Sequence, residues 1–168
     1  MFITATIIIG VSALVSFITT PFAIKIAKKY KLMTDVSTRN HPAHTHTGII
    51  PRGGGIPIFI SLLICSLIFL PLNKIVSGIL IANAFLLILG LLDDKYDVSP
   101  YLRFIMNLTI STMVVGFGLG IPFISNPFGD VIQLNTWKFT FDFFGVRNIL
   151  ILADILAVIW LSWMMNMV

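Results

Sequence analysis

Three of the seven acidic residues fall within five positions, at Asp93, Asp94 and Asp97, and all seven are aspartate. They follow an apolar stretch ending Leu89-Gly90-Leu91-Leu92. If a helix continues through them, Asp93 and Asp97 form an i,i+4 pair on one face, with Asp94 about a third of a turn away. Like charges this close repel unless something neutralises them. A hard divalent cation does so: Mg²⁺ takes oxygen ligands, commonly one or two carboxylates completed by substrate phosphates. The same spacing also describes a solvated helix end at an interface, and the residues alone leave both readings open.

Complementary charge lies upstream. The segment Arg39-Asn40-His41-Pro42-Ala43-His44-Thr45-His46-Thr47-Gly48-Ile49-Ile50-Pro51-Arg52-Gly53-Gly54-Gly55 carries all three histidines, two arginines and a triple glycine. Arginine makes forked hydrogen bonds to phosphate, and Gly-rich backbone entering a helix offers amide N–H groups to anions. Solvated histidines and glycines that merely allow close helix packing are the plainer alternatives. Histidines at 41, 44 and 46 without a cysteine are a weak zinc pattern.

What positions these groups is a set of apolar elements. Of 168 residues, 57% are hydrophobic and only 11% charged, against about 25% charged in average soluble domains. Residues 2–24, 54–73, 75–92 and 104–129 carry no charge, and 148–168 carries only Asp154. A bilayer-crossing helix needs ~17–25 apolar residues. This excludes a disordered chain, a nucleic-acid-binding domain and, with Cys65 alone, a disulfide scaffold; the net charge of +4 reads as membrane-flanking charge rather than a nucleic-acid footprint. The expected fold is an all-α polytopic membrane protein with about five transmembrane helices, at 2–24, 54–72, 75–92, 103–121 and 148–166. The first is a retained span, since no positive residue precedes it and it is too long for a signal peptide.

Charge sets the expected orientation. With the N-terminus outside, segments 25–53 and 93–102 face the cytoplasm and 122–147 lies outside. The cytoplasmic side then holds Lys25, Lys28, Lys29, Lys31, Arg39, Arg52, Lys95 and Arg103, and the external side holds Lys74, Lys138 and Arg147. That bias agrees with the positive-inside rule. Within 122–147 a short β-hairpin is expected from Val131–Leu134 and Lys138–Phe144. Asp154 reads as a helix-packing residue far from the cytoplasmic face, and Asn107 with the Ser and Thr residues of the fourth span as bridges between helices.

The residues also resemble a known family. Asp35, Arg39, His46 and Pro51-Arg52-Gly53-Gly54-Gly55 are similar to the D…R(K)…H-x4-P-R-x-G-G segment of polyprenyl-phosphate N-acetylhexosamine-1-phosphate transferases. Leu89–Arg103 resembles that family's LGxxDDxxDxSxxxR/K segment, and Trp163–Val168 the start of its N-A-x-N-x-x-D-G-x-D-G segment. Asn40 stands where many relatives have Lys. The resemblance implies a roughly ten-helix fold, of which residues 1–168 would form half as one transmembrane domain truncated at its C-terminus. Such a fragment is expected to be inactive alone.

The resemblance further implies transfer of a sugar-1-phosphate from a UDP-sugar to polyprenyl (undecaprenyl) phosphate, releasing UMP, with Mg²⁺ or Mn²⁺, in a bacterial-type cytoplasmic membrane. On that pattern Asp93, Asp94 and Asp97 are the expected catalytic residues, with Asp94 on the metal. Arg39, His46, Arg52, Gly53, Gly54 and Asn166 are the expected substrate-binding residues. The first loop lacks the Thr-Pro-Thr-Met-Gly-Gly of the muramyl-pentapeptide branch, so a UDP-N-acetylglucosamine donor is favoured, with that branch as the alternative; a homodimer is left open. A transporter subunit would instead gather polar groups near the midplane in broken helices, where this chain has almost no charge.

Overall fold

The computed structural model describes residues 2–35, 49–142 and 146–166. Among these are five α-helices and three small two-stranded antiparallel sheets. The order is α1 (Phe2–Lys29), β1 (Met33–Asp35), β2 (Ile49–Pro51), α2 (Gly55–Phe69), α3 (Lys74–Tyr96), α4 (Pro100–Gly116), β3 (Phe123–Ile124), β4 (Ile132–Gln133), β5 (Lys138–Asp142), β6 (Val146–Leu150) and α5 (Ile151–Asn166).

Local chemistry sets the helix ends. Asn73 caps α3 by accepting the Val76 N–H at 2.8 Å, as short polar side chains do at helix N-termini. Ser99 precedes α4, whose first residue is Pro100, where the missing N–H costs nothing. Leu70 is extended, which stops α2 before Pro71. α4 ends at Gly116, and Gly118 turns the chain with φ +106°.

These stops correct the expected spans. Only α1, with 28 residues, and α3, with 23, are long and apolar enough among the described residues to cross a membrane. At ~1.5 Å per residue they reach ~42 and ~35 Å, beyond a ~30 Å hydrocarbon core. α2, α4 and α5 have 15, 17 and 16 residues, hence ~22–26 Å. Apolar runs read as single helices thus divide into a shorter helix plus extended flanks. Residues 146–150, partly assigned to the fifth span, form β6 instead.

The hairpin expectation also changes. β4 pairs with β3 and β5 with β6, so two hairpins occupy this region rather than one built from both β-prone stretches. β1 pairs with β2 through Met33↔Pro51, Thr34↔Ile50 and Asp35↔Ile49.

α2 returns beside α1, packing near the buried Ala23 and Ala27. It then runs antiparallel to α3, with Gly55 against Leu87 and Gly53 against Leu91. A core of Ala82, Leu89, Ile110 and Val114 joins α3 to α4, and Leu161 of α5 packs against it. Gly78 is required here: a Cβ would lie 2.3 Å from Cγ of Phe117. The consequence is that the end of α1, the start of α2, the end of α3, the start of α4 and the end of α5 share one end of the bundle.

Candidate active site

The polar residues collect at that shared end. Arg52 follows β2, and its backbone N–H donates to the Leu32 carbonyl at 2.8 Å, which ties the α2 entry to the α1 exit. Its Nη1 lies 3.7 Å from Oδ1 of Asp94, with both side chains 29% exposed. Gly53, at φ +99°, contributes a backbone hydrogen bond to the Asp94 carboxylate. The left-handed φ is one that a residue bearing a Cβ adopts at a cost. Gly54 follows with ordinary helical torsions as the residue preceding α2.

Asp93 is held from the other side. Arg103, one turn into α4, donates from Nη2 to Oδ1 of Asp93 at 2.7 Å, a charge-assisted length. The same Nη2 reaches the Val98 carbonyl at 3.4 Å. Sequence reasoning missed Arg103 as a site residue, although it closes the Asp-rich segment. The legible signal was a lone cation just after Ser99-Pro100, where a tight turn brings the start of a second helix back to the aspartates.

Two expectations about the aspartates change. The helix does not run through Asp97, which caps α3 in the left-handed region (φ 52°, ψ 61°) with its N–H on the Asp93 carbonyl at 2.9 Å. Asp93 and Asp97 are therefore not an i,i+4 pair on one helical face. Nor does the clustering by itself require a cation, because Arg52 and Arg103 each set a positive charge against one aspartate.

Asn166 is brought to the same end. Its Oδ1 accepts from Nδ2 of Asn107 at 3.3 Å, and its Nδ2 donates to the Ser162 carbonyl at 2.7 Å. Asn107 lies four residues after Arg103, on the same helical face. One turn further along, the Ser111 and Ser162 hydroxyls lie 3.3 Å apart. Asn107 and Ser111 thus bridge α4 and α5, whereas Thr109 and Thr112 bond back to carbonyls of their own helix.

Arg39 and His46 lie outside the described residues. Among those described, no three His, Cys, Asp or Glu side chains gather as a metal-binding group. The neighbouring carboxylates of Asp93 and Asp94 nonetheless suit Mg²⁺, which commonly takes one or two carboxylates and completes its shell with water and substrate phosphate. A cavity of about 870 Å³ opens at the opposite end of the bundle and includes Lys74, Gly120 and Asp154 in its wall. Asp154 there accepts the Leu150 N–H at 3.0 Å, which ties the strand end to α5. Volume and chemistry therefore separate, and the charged end is the candidate site.

Apolar helices with their polar chemistry gathered at one end are the architecture of a membrane protein working at an interface. The chain is similar to two curated transferases named for a lipid-phosphate acceptor. It is 34% identical over 121 residues to the probable undecaprenyl-phosphate N-acetylglucosaminyl 1-phosphate transferase of Bacillus subtilis (strain 168), covering 70% of this chain and 32% of that protein. It is 29% identical over 108 residues to the undecaprenyl-phosphate alpha-N-acetylglucosaminyl 1-phosphate transferase of Pasteurella multocida (strain Pm70), covering 64% and 29%. The chain thus matches about a third of the length of these curated relatives. No protein-family model matches it, and no solved structure does.

Proposed function

We propose that this chain forms part of an enzyme that moves N-acetylglucosamine-1-phosphate from its UDP-sugar to undecaprenyl phosphate in a bacterial cytoplasmic membrane. A lipid phosphate oxygen attacks the sugar-bearing phosphorus of the donor, the bond to the bridging oxygen breaks, and UMP leaves. Phosphoryl transfer of this kind depends mainly on positioning and charge neutralisation. The observation that carries the reading is the pairing of Asp93 with Arg103 and of Asp94 with Arg52 at one end of apolar helices, in a chain similar to two enzymes named for this transfer.

In this reading Asp93 orients the acceptor phosphate or takes its proton, and Asp97 supports the turn that holds it. Asp94, with Asp93 beside it, would hold Mg²⁺ or Mn²⁺, which when bound neutralises charge on the donor diphosphate. Arg52 and the backbone of Gly53 and Gly54 would bind the transferred phosphates, a role the sequence pattern also assigns to Arg39 and His46, while Asn166 serves the nucleotide side. The multi-pass course, with the N-terminus outside and this end cytoplasmic, is part of the same proposal.

The test is UMP release from UDP-N-acetylglucosamine by membranes carrying the protein at the length of its relatives, with undecaprenyl phosphate and Mg²⁺. Asp93→Asn and Asp94→Asn should each lower transfer by at least roughly 100-fold, about 2.7 kcal/mol, without loss of folded protein. Normal turnover in either variant refutes its role; release with the muramyl-pentapeptide donor instead would assign the other branch.

A further inference from the structure

We propose that Arg103 is a positioning residue that clasps Asp93 and sets the direction of its carboxylate, an inference that rests on the transfer reading above. The two aspartates are held differently. Arg103 meets Asp93 in a direct 2.7 Å hydrogen bond, whereas Arg52 stands 3.7 Å from Asp94, beyond hydrogen-bond reach. Asp93 is thus held by a direct side-chain hydrogen bond, and Asp94 by the Gly53 backbone and the longer Arg52 ion pair.

The clasp spans three elements. From the first turn of α4, Nη2 of Arg103 bonds Oδ1 of Asp93 at the end of α3 and approaches the Val98 carbonyl in the turn between them. The Asp93 carbonyl meanwhile accepts the Asp97 N–H, so one residue anchors the turn by its backbone and the arginine by its side chain. The Asp93 side chain is 25% exposed and that of Arg103 42%, so the pair lies at the mouth of the site rather than in the core.

The arginine is also incompletely satisfied. Nε of Arg103 is buried without a hydrogen-bond partner among the described residues. A buried unpaired donor opposes stability. Its guanidinium is therefore oriented by the contact with Asp93 at the expense of its own hydrogen bonding, as expected of a group whose task is to aim a neighbour.

The experiment compares Arg103→Gln and Arg103→Lys in the protein at its relatives' length, with turnover and thermal unfolding measured on the same preparations. Arg103→Gln should lower kcat roughly 10- to 100-fold, as misplacement of a reacting group does, while KM for the nucleotide donor moves less than about twofold. Arg103→Lys keeps the charge and should recover part of kcat. Unchanged kcat in Arg103→Gln, or a loss that tracks only the fraction of folded protein, overturns the proposal.

A second measurement needs no activity. If the clasp exists, unfolding midpoints of Asp93→Asn, Arg103→Gln and the double variant are non-additive, since each single change leaves one charge unpaired. Additive shifts overturn the clasp. Absence of transfer by the unsubstituted protein would instead overturn the functional reading, and the unfolding cycle would still decide the role of Arg103.

Discussion

Arg52 and Asp94 come within 3.7 Å of each other although one precedes α2 and the other lies in the last turn of α3. The contact exists because α2 and α3 run antiparallel, with Gly53 against Leu91 and Gly55 against Leu87. It converts two separately legible motifs, a Gly-rich loop and an Asp run, into one site.

Arg52→Gln should separate function from folding. A partly exposed ion pair at this distance contributes at most about 1 kcal/mol to stability. Thermal unfolding should therefore shift by less than about 4 °C, while transfer falls by roughly tenfold or more, about 1.4 kcal/mol of transition-state stabilisation. Parallel measurements of melting and UMP release check this; a large melting shift with normal transfer would make Arg52 a structural residue.

Gly53 and Gly54 should respond differently to alanine. Gly53 sits at φ +99°, where an L-side chain costs roughly 1–2 kcal/mol, and its backbone carries the hydrogen bond to Asp94. Gly54 has φ −58° and open space where a Cβ would go. Gly53→Ala should lower the unfolding midpoint and transfer together, and Gly54→Ala should be close to neutral in unfolding. Equal midpoints for the two variants would remove the backbone argument.

Ser111 is fully buried between α4 and α5, with its hydroxyl 3.3 Å from that of Ser162. Ser111→Leu should destabilise the α4–α5 pair by roughly 1–3 kcal/mol through overpacking. Ser111→Ala should cost less, near the ~0.6 kcal/mol typical of interhelical hydrogen bonds in membranes. Unfolding in detergent measures both, and the reverse order would show that space at this crossing is not limiting.

Much of the site was legible in residue types. The charge-free runs mark the apolar elements, and the Asp93–Asp97 cluster and the Arg52–Gly55 loop stand out because little else in the chain is polar. Helix termination was legible at Asn73 and at Ser99-Pro100, where capping residues stand in the sequence. It was not legible at Gly116, since glycine also occurs within apolar helices, or at residues 146–150, where Val146, Ile149 and Leu150 suit a strand as well as a helix.

The sequence by itself determined where charge could sit: long apolar runs leave it little room, so the described aspartates and arginines lie in the end turns of helices or between helices. Which charges meet was decided only by tertiary structure. Asp93 and Asp94 are chain neighbours, and their helical positions, about 100° apart, turn one toward α4 and the other toward the α2 entry. Arg103 and Arg52 take them separately for that reason, and Asp97, reversed into the left-handed region, leaves the helical face that continuous periodicity had assigned it.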